Sequence, residues 1–248
     1  MRTTFECSQF IVFDDVMPEQ ELDEIWRYLQ FVSLAGVDSA YDQDSPWPIS
    51  DGWPLTGETV VVAAKSGGLR LRADEAPADA TYPTGTALDH VFEKLQCLLP
   101  QVEACVGKTG KDWNRISATP YVYPSGTALS WHADGSQCTG AFTFYAHPVW
   151  KAQWGGELLV AERSGKLPYS GSATPAPHSL EEKLRYRFDK RAMNEHLSRP
   201  GVGRFIMAIP NRLVVLAGGN PHKVARVDPS AGDRVRATIS GFFLRPQR

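Results

Sequence analysis

His132-Ala133-Asp134 sets an imidazole and a carboxylate two residues apart. On a β-strand, side chains at that spacing leave the same face, so the two groups would converge above one sheet. Both are metal ligands, and a third ligand would complete a facial triad that leaves coordination positions open, the donor set that suits non-haem Fe(II). The third ligand must come from His90, His147, His178, His196 or His222. His222 is the best placed, because it comes after Gly218-Gly219-Asn220-Pro221 and opens the strand-like run Lys223-Val224-Ala225-Arg226-Val227. His147, just after a strand, is the alternative; His90 falls on a helix, and His178 and His196 fall in an insertion. A lone H-x-D arises often by chance and would equally describe a surface histidine beside a carboxylate. Its weight comes from the ordered residues downstream, a second histidine on a late strand and then an arginine. Arg234, Arg236 and Ser240 share one face of the last strand. A guanidinium binds a carboxylate bidentately, so a buried arginine beside a hydroxyl makes a carboxylate receptor.

These residues need elements to hold them. Gln9 to Phe13 reads as a short strand. After it comes a helix with Pro18 in its first turn and a stripe of Leu22, Ile25, Trp26 and Leu29. Pro46 to Pro54 reads as loop and Thr59 to Ala64 as a strand. A second helix is expected over Thr86 to Leu99, carrying Leu88, Val91, Phe92 and Leu95, with Pro100 ending it. From Trp113 onward the pattern is one short strand after another: 115–122, 127–134, 139–146, 157–161, 205–209, 212–216, 222–227 and 234–244. Gly218 to Pro221 and Asp228 to Gly232 read as hairpin-type connections. Many short strands with turn signals indicate a β-sandwich or barrel, with helices preceding the sheet. Residues 162–203 interrupt this pattern. Ser179 and Glu182 have the form of a capping box, and the helix after them reads either as a solvated surface helix or as a lid over a site.

At this level of detail the sequence resembles the Fe(II)- and 2-oxoglutarate-dependent dioxygenases, in particular their prolyl-4-hydroxylase-like branch. The resemblance runs over most of the chain, in five short pieces in order. Phe10-Ile11-Val12-Phe13-Asp14-Asp15-Val16-Met17 and the helix after it resemble the branch's opening. Tyr123-Pro124-Ser125-Gly126 and Trp131-His132-Ala133-Asp134 resemble its Y-x-x-G…H-x-D segment. Phe144-Tyr145, Trp150 and Gly155-Gly156-Glu157-Leu158 resemble its Y-L-N…W…G-G-x-L segment. Asn220-Pro221-His222-Lys223-Val224 is similar to its distal histidine, and Arg236 to Phe243 to its final R-x-x-x-S-G-W-F strand. The resemblance implies one domain over residues 1–248, mainly β with flanking helices (α+β), built as a double-stranded β-helix, a jelly-roll barrel. It implies that His132, Asp134 and His222 hold Fe(II) and that 2-oxoglutarate and O2 are cosubstrates. It implies that Arg236, with Arg234 as the alternative, takes the far carboxylate of 2-oxoglutarate. Tyr123 and Tyr145 match positions lining that pocket, or are ordinary core packing. An acid at 134 rather than Gly or Ala implies an oxygenase outcome instead of halogenation, with release of succinate and CO2. Two departures stand out: Ala146-His147 replaces the usual Asn after the tyrosine strand, and residues 162–203 are longer than the core requires.

Composition narrows the partner. The 248 residues carry 26 Lys and Arg against 28 Asp and Glu, a net charge of −2. That balance argues against a nucleic-acid binder, which shows a basic domain or stripe. Cys7, Cys97, Cys105 and Cys138 form no C-x-x-C pair, which argues against a cysteine zinc site. The absence of a secretory leader and of any long apolar run leads to the expectation of a soluble, cytoplasmic protein with no membrane partner. There is no G-x-S-x-G and no H-E-x-x-H, which argues against the common hydrolases. The expected substrate is a small molecule, an amino acid or a natural-product intermediate, with a peptide as the alternative. Arg70, Arg72, Trp131 and His147 are the candidate substrate contacts. The rival reading is a cupin-type metal-binding jelly roll without oxygenase activity, for which a carboxylate receptor has no purpose.

Overall fold

The computed structural model describes residues 1–37, 51–64, 82–135, 137–162 and 197–246. In chain order the elements are β1 (Arg2–Glu6), β2 (Phe10–Asp14), α1 (Glu19–Phe31), β3 (Ala35–Gly36), β4 (Leu55–Thr56), β5 (Val60–Ala63) and α2 (Leu88–Val106). Eight strands come next: β6 (Arg115–Tyr123), β7 (Leu129–His132), β8 (Cys138–Tyr145), β9 (Leu158–Ala161), β10 (Gly203–Ile206), β11 (Leu213–Ala217), β12 (His222–Val224) and β13 (Arg236–Leu244). Arg70, Arg72 and the helix expected after Ser179 lie outside the described residues.

The eight later strands divide between two sheets, the chain changing sheet at every connection except β9 to β10, which pair as neighbours in the small sheet. β6, β8, β11 and β13 join the large sheet, ordered β1-β2-β11-β8-β13-β6-β4-β3 with β5 also on β6. β7, β9, β10 and β12 form the small one, ordered β10-β9-β12-β7. All these pairings are antiparallel. A chain that steps from one sheet to the other in this way winds as a double-stranded β-helix. Among the described residues the two sheets share no hydrogen-bonded edge, so the expected barrel is an open sandwich. Gly218 to Pro221 and Asp228 to Gly232 are accordingly not hairpins. Each carries the chain from one sheet to the other.

The large sheet separates two interiors. Ile116, Phe142, Phe144, Leu213, Val215, Ala237 and Ile239 leave its outer face. They pack against Leu88, Val91, Phe92, Leu95, Leu98, Val102 and Val106 of α2 and against Ile25 and Leu29 of α1. The alternate residues Ala141, Tyr145, Val214 and Leu216 face inward and meet Leu158, Val160 and Ile206 of the small sheet. Helix α2 runs straight past Pro100, where local propensity would end it. Proline in a helix interior costs about 3 kcal/mol. Here the ring is exposed, and continuing the helix buries Val102 and Val106 against the sheet. Burial of each such side chain is worth about 1.5–3 kcal/mol, enough to offset the lost hydrogen bond.

Candidate metal centre and anion pocket

Antiparallel pairing of β12 with β7 places His222 directly opposite His132. Their ring centroids are 4.3 Å apart. Along β7 the register slips: Val224 pairs with Leu129, so three steps on β7 face two on β12. This bulge turns both Leu129 and His132 toward the cavity. Asp134 lies just beyond the strand end, not on it. Its Oδ1 is nevertheless 3.8 Å from Nε2 of both His132 and His222. The candidate ligand atoms of the three residues all lie within 4.8 Å of one another.

Both imidazoles are held in the same way. His132 Nδ1 is 2.9 Å from the carbonyl of Ser130, and His222 Nδ1 is 2.9 Å from the carbonyl of Asn220. A carbonyl can only accept, so each Nδ1 carries the hydrogen and each Nε2 presents a lone pair to the centre. Burial pushes the Asp134 carboxyl above its usual range, with the nearby His222 acting against that rise. A buried acid without a cation is costly, and a metal ion would relieve that cost. Two imidazoles, one carboxylate and no other His, Cys, Asp or Glu in the cluster among the described residues fit an ion with open positions.

Next to the triad is a cavity of about 240 Å³, lined by Tyr121, Tyr123, Thr143, Arg236 and Ser240 of the large sheet and by Leu158 and Val224 of the small sheet. Arg236 sets its chemistry. Its side chain is only 1 % exposed, sandwiched between the rings of Tyr123 and Tyr145 at 4.8 and 4.9 Å. Its Nε donates to the Gly156 carbonyl at 2.8 Å. Gly156 has φ +71°, and a Cβ there would come within 2.7 Å of Arg236 Cδ, so the second glycine of Gly155-Gly156 is required by the arginine. No carboxylate among the described residues pairs with Arg236. Tyr145, unlike Tyr123, does not line the cavity: it is fully buried against Arg236, and its hydroxyl has no hydrogen-bond partner among the described residues. A buried guanidinium on a cavity wall, with no carboxylate partner among the described residues, has the chemistry to receive an anion. Burial raises the Tyr123 phenol while Arg236 opposes the rise.

Other residues singled out from sequence lie elsewhere. Arg234 precedes β13 and is exposed, since the turn after Asp228 delays the strand to Arg236. Ser240 lines the cavity and shares a 3.0 Å hydrogen bond with Thr143. Trp131 turns away from the cavity and stacks under Lys223. His147 is buried behind Arg236, with Nε2 2.8 Å from the Ala208 carbonyl and Nδ1 accepting the Ala237 N–H at 3.3 Å. Burial pulls its imidazole down to about 4, so it is a neutral strut and not a cavity residue. Sequence reading passed over Tyr121, although its position two before Tyr123 on one strand is the signal that puts it on the same face.

No protein-family model matches the chain, and no curated protein sequence matches it. Solved structures do. A prolyl-4-hydroxylase from Pseudomonas putida is 14% identical, with 96% of this chain and 93% of that chain covered at TM-score 0.55. A prolyl hydroxylase from Trichoplax adhaerens, in complex with a hypoxia inducible factor oxygen degradation domain peptide fragment, is 14% identical, covers 96% and 84%, and gives 0.54. A 2OG-Fe(II) oxygenase family oxidoreductase from Burkholderia pseudomallei is 10% identical, covers 100% and 95%, and gives 0.50. These likenesses establish the double-stranded β-helix fold that the resemblance implied.

Proposed function

We propose that this chain is a non-haem Fe(II)- and 2-oxoglutarate-dependent oxygenase that hydroxylates a C–H bond of a small molecule and releases succinate and CO2. The observation that carries the reading is Arg236, a buried cation without a carboxylate partner among the described residues, on the wall of the cavity that also holds the His-Asp-His cluster. A structural metal site of cupin type has no use for it.

His132, Asp134 and His222 would hold the iron. When bound, it supplies the activation of dioxygen coupled to oxidative decarboxylation of 2-oxoglutarate. The protein does the rest. Arg236 would take the distal carboxylate of 2-oxoglutarate through its Nη groups. Tyr123 and Tyr145 keep the guanidinium in one plane, and Gly156 fixes its Nε end. Leu158, Val224 and Leu129 give the cavity an apolar wall. The Nδ1–H bonds keep both imidazoles in the ligating tautomer.

A peptide substrate is the second reading, favoured by the peptide bound to the Trichoplax prolyl hydroxylase. The test is succinate release with Fe(II) and 2-oxoglutarate, screened across free amino acids, natural-product intermediates and prolyl peptides. Substrate-stimulated succinate that disappears on chelation supports the reading, and the compound class that stimulates it selects the substrate. A protein that binds metal but never consumes 2-oxoglutarate would instead be a metal-binding jelly roll.

A further inference from the structure

Asp51 falls in a segment that reads as featureless loop, yet it is 3 % exposed. Its carboxylate accepts from Ser130 twice, from the backbone N–H at 2.6 Å and from the hydroxyl at 2.7 Å. Its own carbonyl accepts from the Ala128 N–H at 2.8 Å. Asp51 is thereby docked on the bulged start of β7, in the gap where Leu129 to His132 slips against β12. A bulge leaves backbone groups without ladder partners, and a carboxylate that takes two charge-assisted bonds fills that gap.

The consequence reaches the centre. Ser130 uses three atoms at once: its N–H and Oγ are tied to Asp51, and its carbonyl accepts His132 Nδ1–H. Two bonds to one acid fix both the backbone and the side-chain rotation of Ser130, and so the direction of the carbonyl. His222 has a neutral counterpart. Its Nδ1 acceptor belongs to Asn220, whose side-chain Nδ2 donates to the Ala217 carbonyl at 2.8 Å and whose Oδ1 lies 3.4 Å from Gln9 Nε2.

We propose that Asp51 is a positioning residue for the metal centre, acting through Ser130 to hold His132 in its Nε2-ligating tautomer and orientation. The proposal rests on the reading of His132, Asp134 and His222 as a metal site, and it extends that site to an acid from outside the eight-strand winding. Loss of such an outer partner typically weakens metal binding by about 10–100-fold. Asp51 acts one residue further away, so the lower end applies.

The experiment uses the full chain and two readouts. The first is anaerobic titration with Co(II) alone, monitored by its visible absorption, for wild type, Asp51→Ala, Asp51→Asn, Ser130→Ala and His132→Ala. Asp51→Ala is expected to bind about 10-fold more weakly. Asp51→Asn and Ser130→Ala, which each keep one bond of the clamp, should fall between it and wild type. The second is 15N-histidine NMR of the metal-free protein, with His132 assigned by its disappearance in His132→Ala. The Nδ1–H tautomer should dominate in wild type and lose population in the variants. Should Asp51→Ala not fold, the two milder variants carry the series. Wild-type Co(II) affinity and an unchanged His132 tautomer throughout, with only the melting temperature lowered, would overturn the proposal. Co(II) affinity retained in His132→Ala would instead overturn the metal-site reading, while the NMR series still decides the clamp.

Discussion

The two faces of the large sheet are made by the same strands and obey different rules. On the outer face Ile116, Phe144, Val215 and Ile239 meet the helices, and any apolar side chain of similar volume would serve there. On the inner face, one residue along, stand Tyr121, Tyr123, Thr143, Tyr145, Arg236 and Ser240. Each of those depends on a particular partner: a stacked ring, a glycine carbonyl or a hydroxyl. The outer face stabilises the molecule. The inner face also holds Arg236 without a carboxylate partner among the described residues, a cost that is explained if an anionic ligand supplies one. Mutations should therefore divide by face, outer ones lowering stability and inner ones lowering cosubstrate use.

The largest expected effect is on the inner face. Arg236→Met removes the proposed anion receptor, and truncating one member of a buried charge pair costs about 2–5 kcal/mol of binding. That should appear as a rise in KM for 2-oxoglutarate of roughly 30-fold or more. Stability should hold or improve, because a buried cation without a carboxylate partner among the described residues has gone. On the outer face, Phe144→Ala should cost about 3–5 kcal/mol in urea unfolding, with KM for 2-oxoglutarate unchanged in the folded protein. If both variants lost stability equally, the division between faces would fail.

The next effect depends on pH. His147 titrates near 4 in the fold against 6.5 when free. Between those values the unfolded chain holds the extra proton, so stability contributed at this site is full above about pH 6.5 and falls as pH drops toward 4. The total is roughly 3 kcal/mol. Other groups also titrate in acid, so the measure is the difference between wild type and His147→Gln, unfolded in urea at pH 7.5, 5.5 and 4.5. The gap should narrow as pH falls, and a constant gap would mean that His147 is not held neutral. The smallest effect is Tyr145→Phe. Removing a buried hydroxyl without a partner among the described residues should leave stability unchanged or raise it by about 1 kcal/mol, with the ring still stacked on Arg236 and KM for 2-oxoglutarate little changed.

The same division explains what the sequence could disclose. Alternation along 115–123, 138–145 and 236–244 exposes the outer face directly, because burial against helices asks only for apolar side chains, while 213–217 is apolar on both faces and shows no such period. The triad was legible because His132 and Asp134 sit two apart and His222 heads a strand. The period of two that puts Arg234 and Arg236 on one face could not say where the strand begins, and the turn after Asp228 decides that in favour of Arg236. Pro100 misled because local helix propensity lost to tertiary burial of Val102 and Val106. His147 looked like a pocket residue because a buried histidine bonded to two backbone segments has no local signature. Asp51 left no trace for a related reason: its role comes from where a bulge in β7 falls, a property of two distant strands and not of its own neighbours.

The most direct test of the central claim is anaerobic titration of the Fe(II)-loaded protein with 2-oxoglutarate, watching for the weak visible charge-transfer band of a chelated cosubstrate. The account predicts a saturable band in wild type, absent in His132→Ala and Asp134→Ala, and needing far more 2-oxoglutarate in Arg236→Met. A wild-type protein that binds Fe(II) without developing the band, or a band that persists in both triad variants, would contradict it.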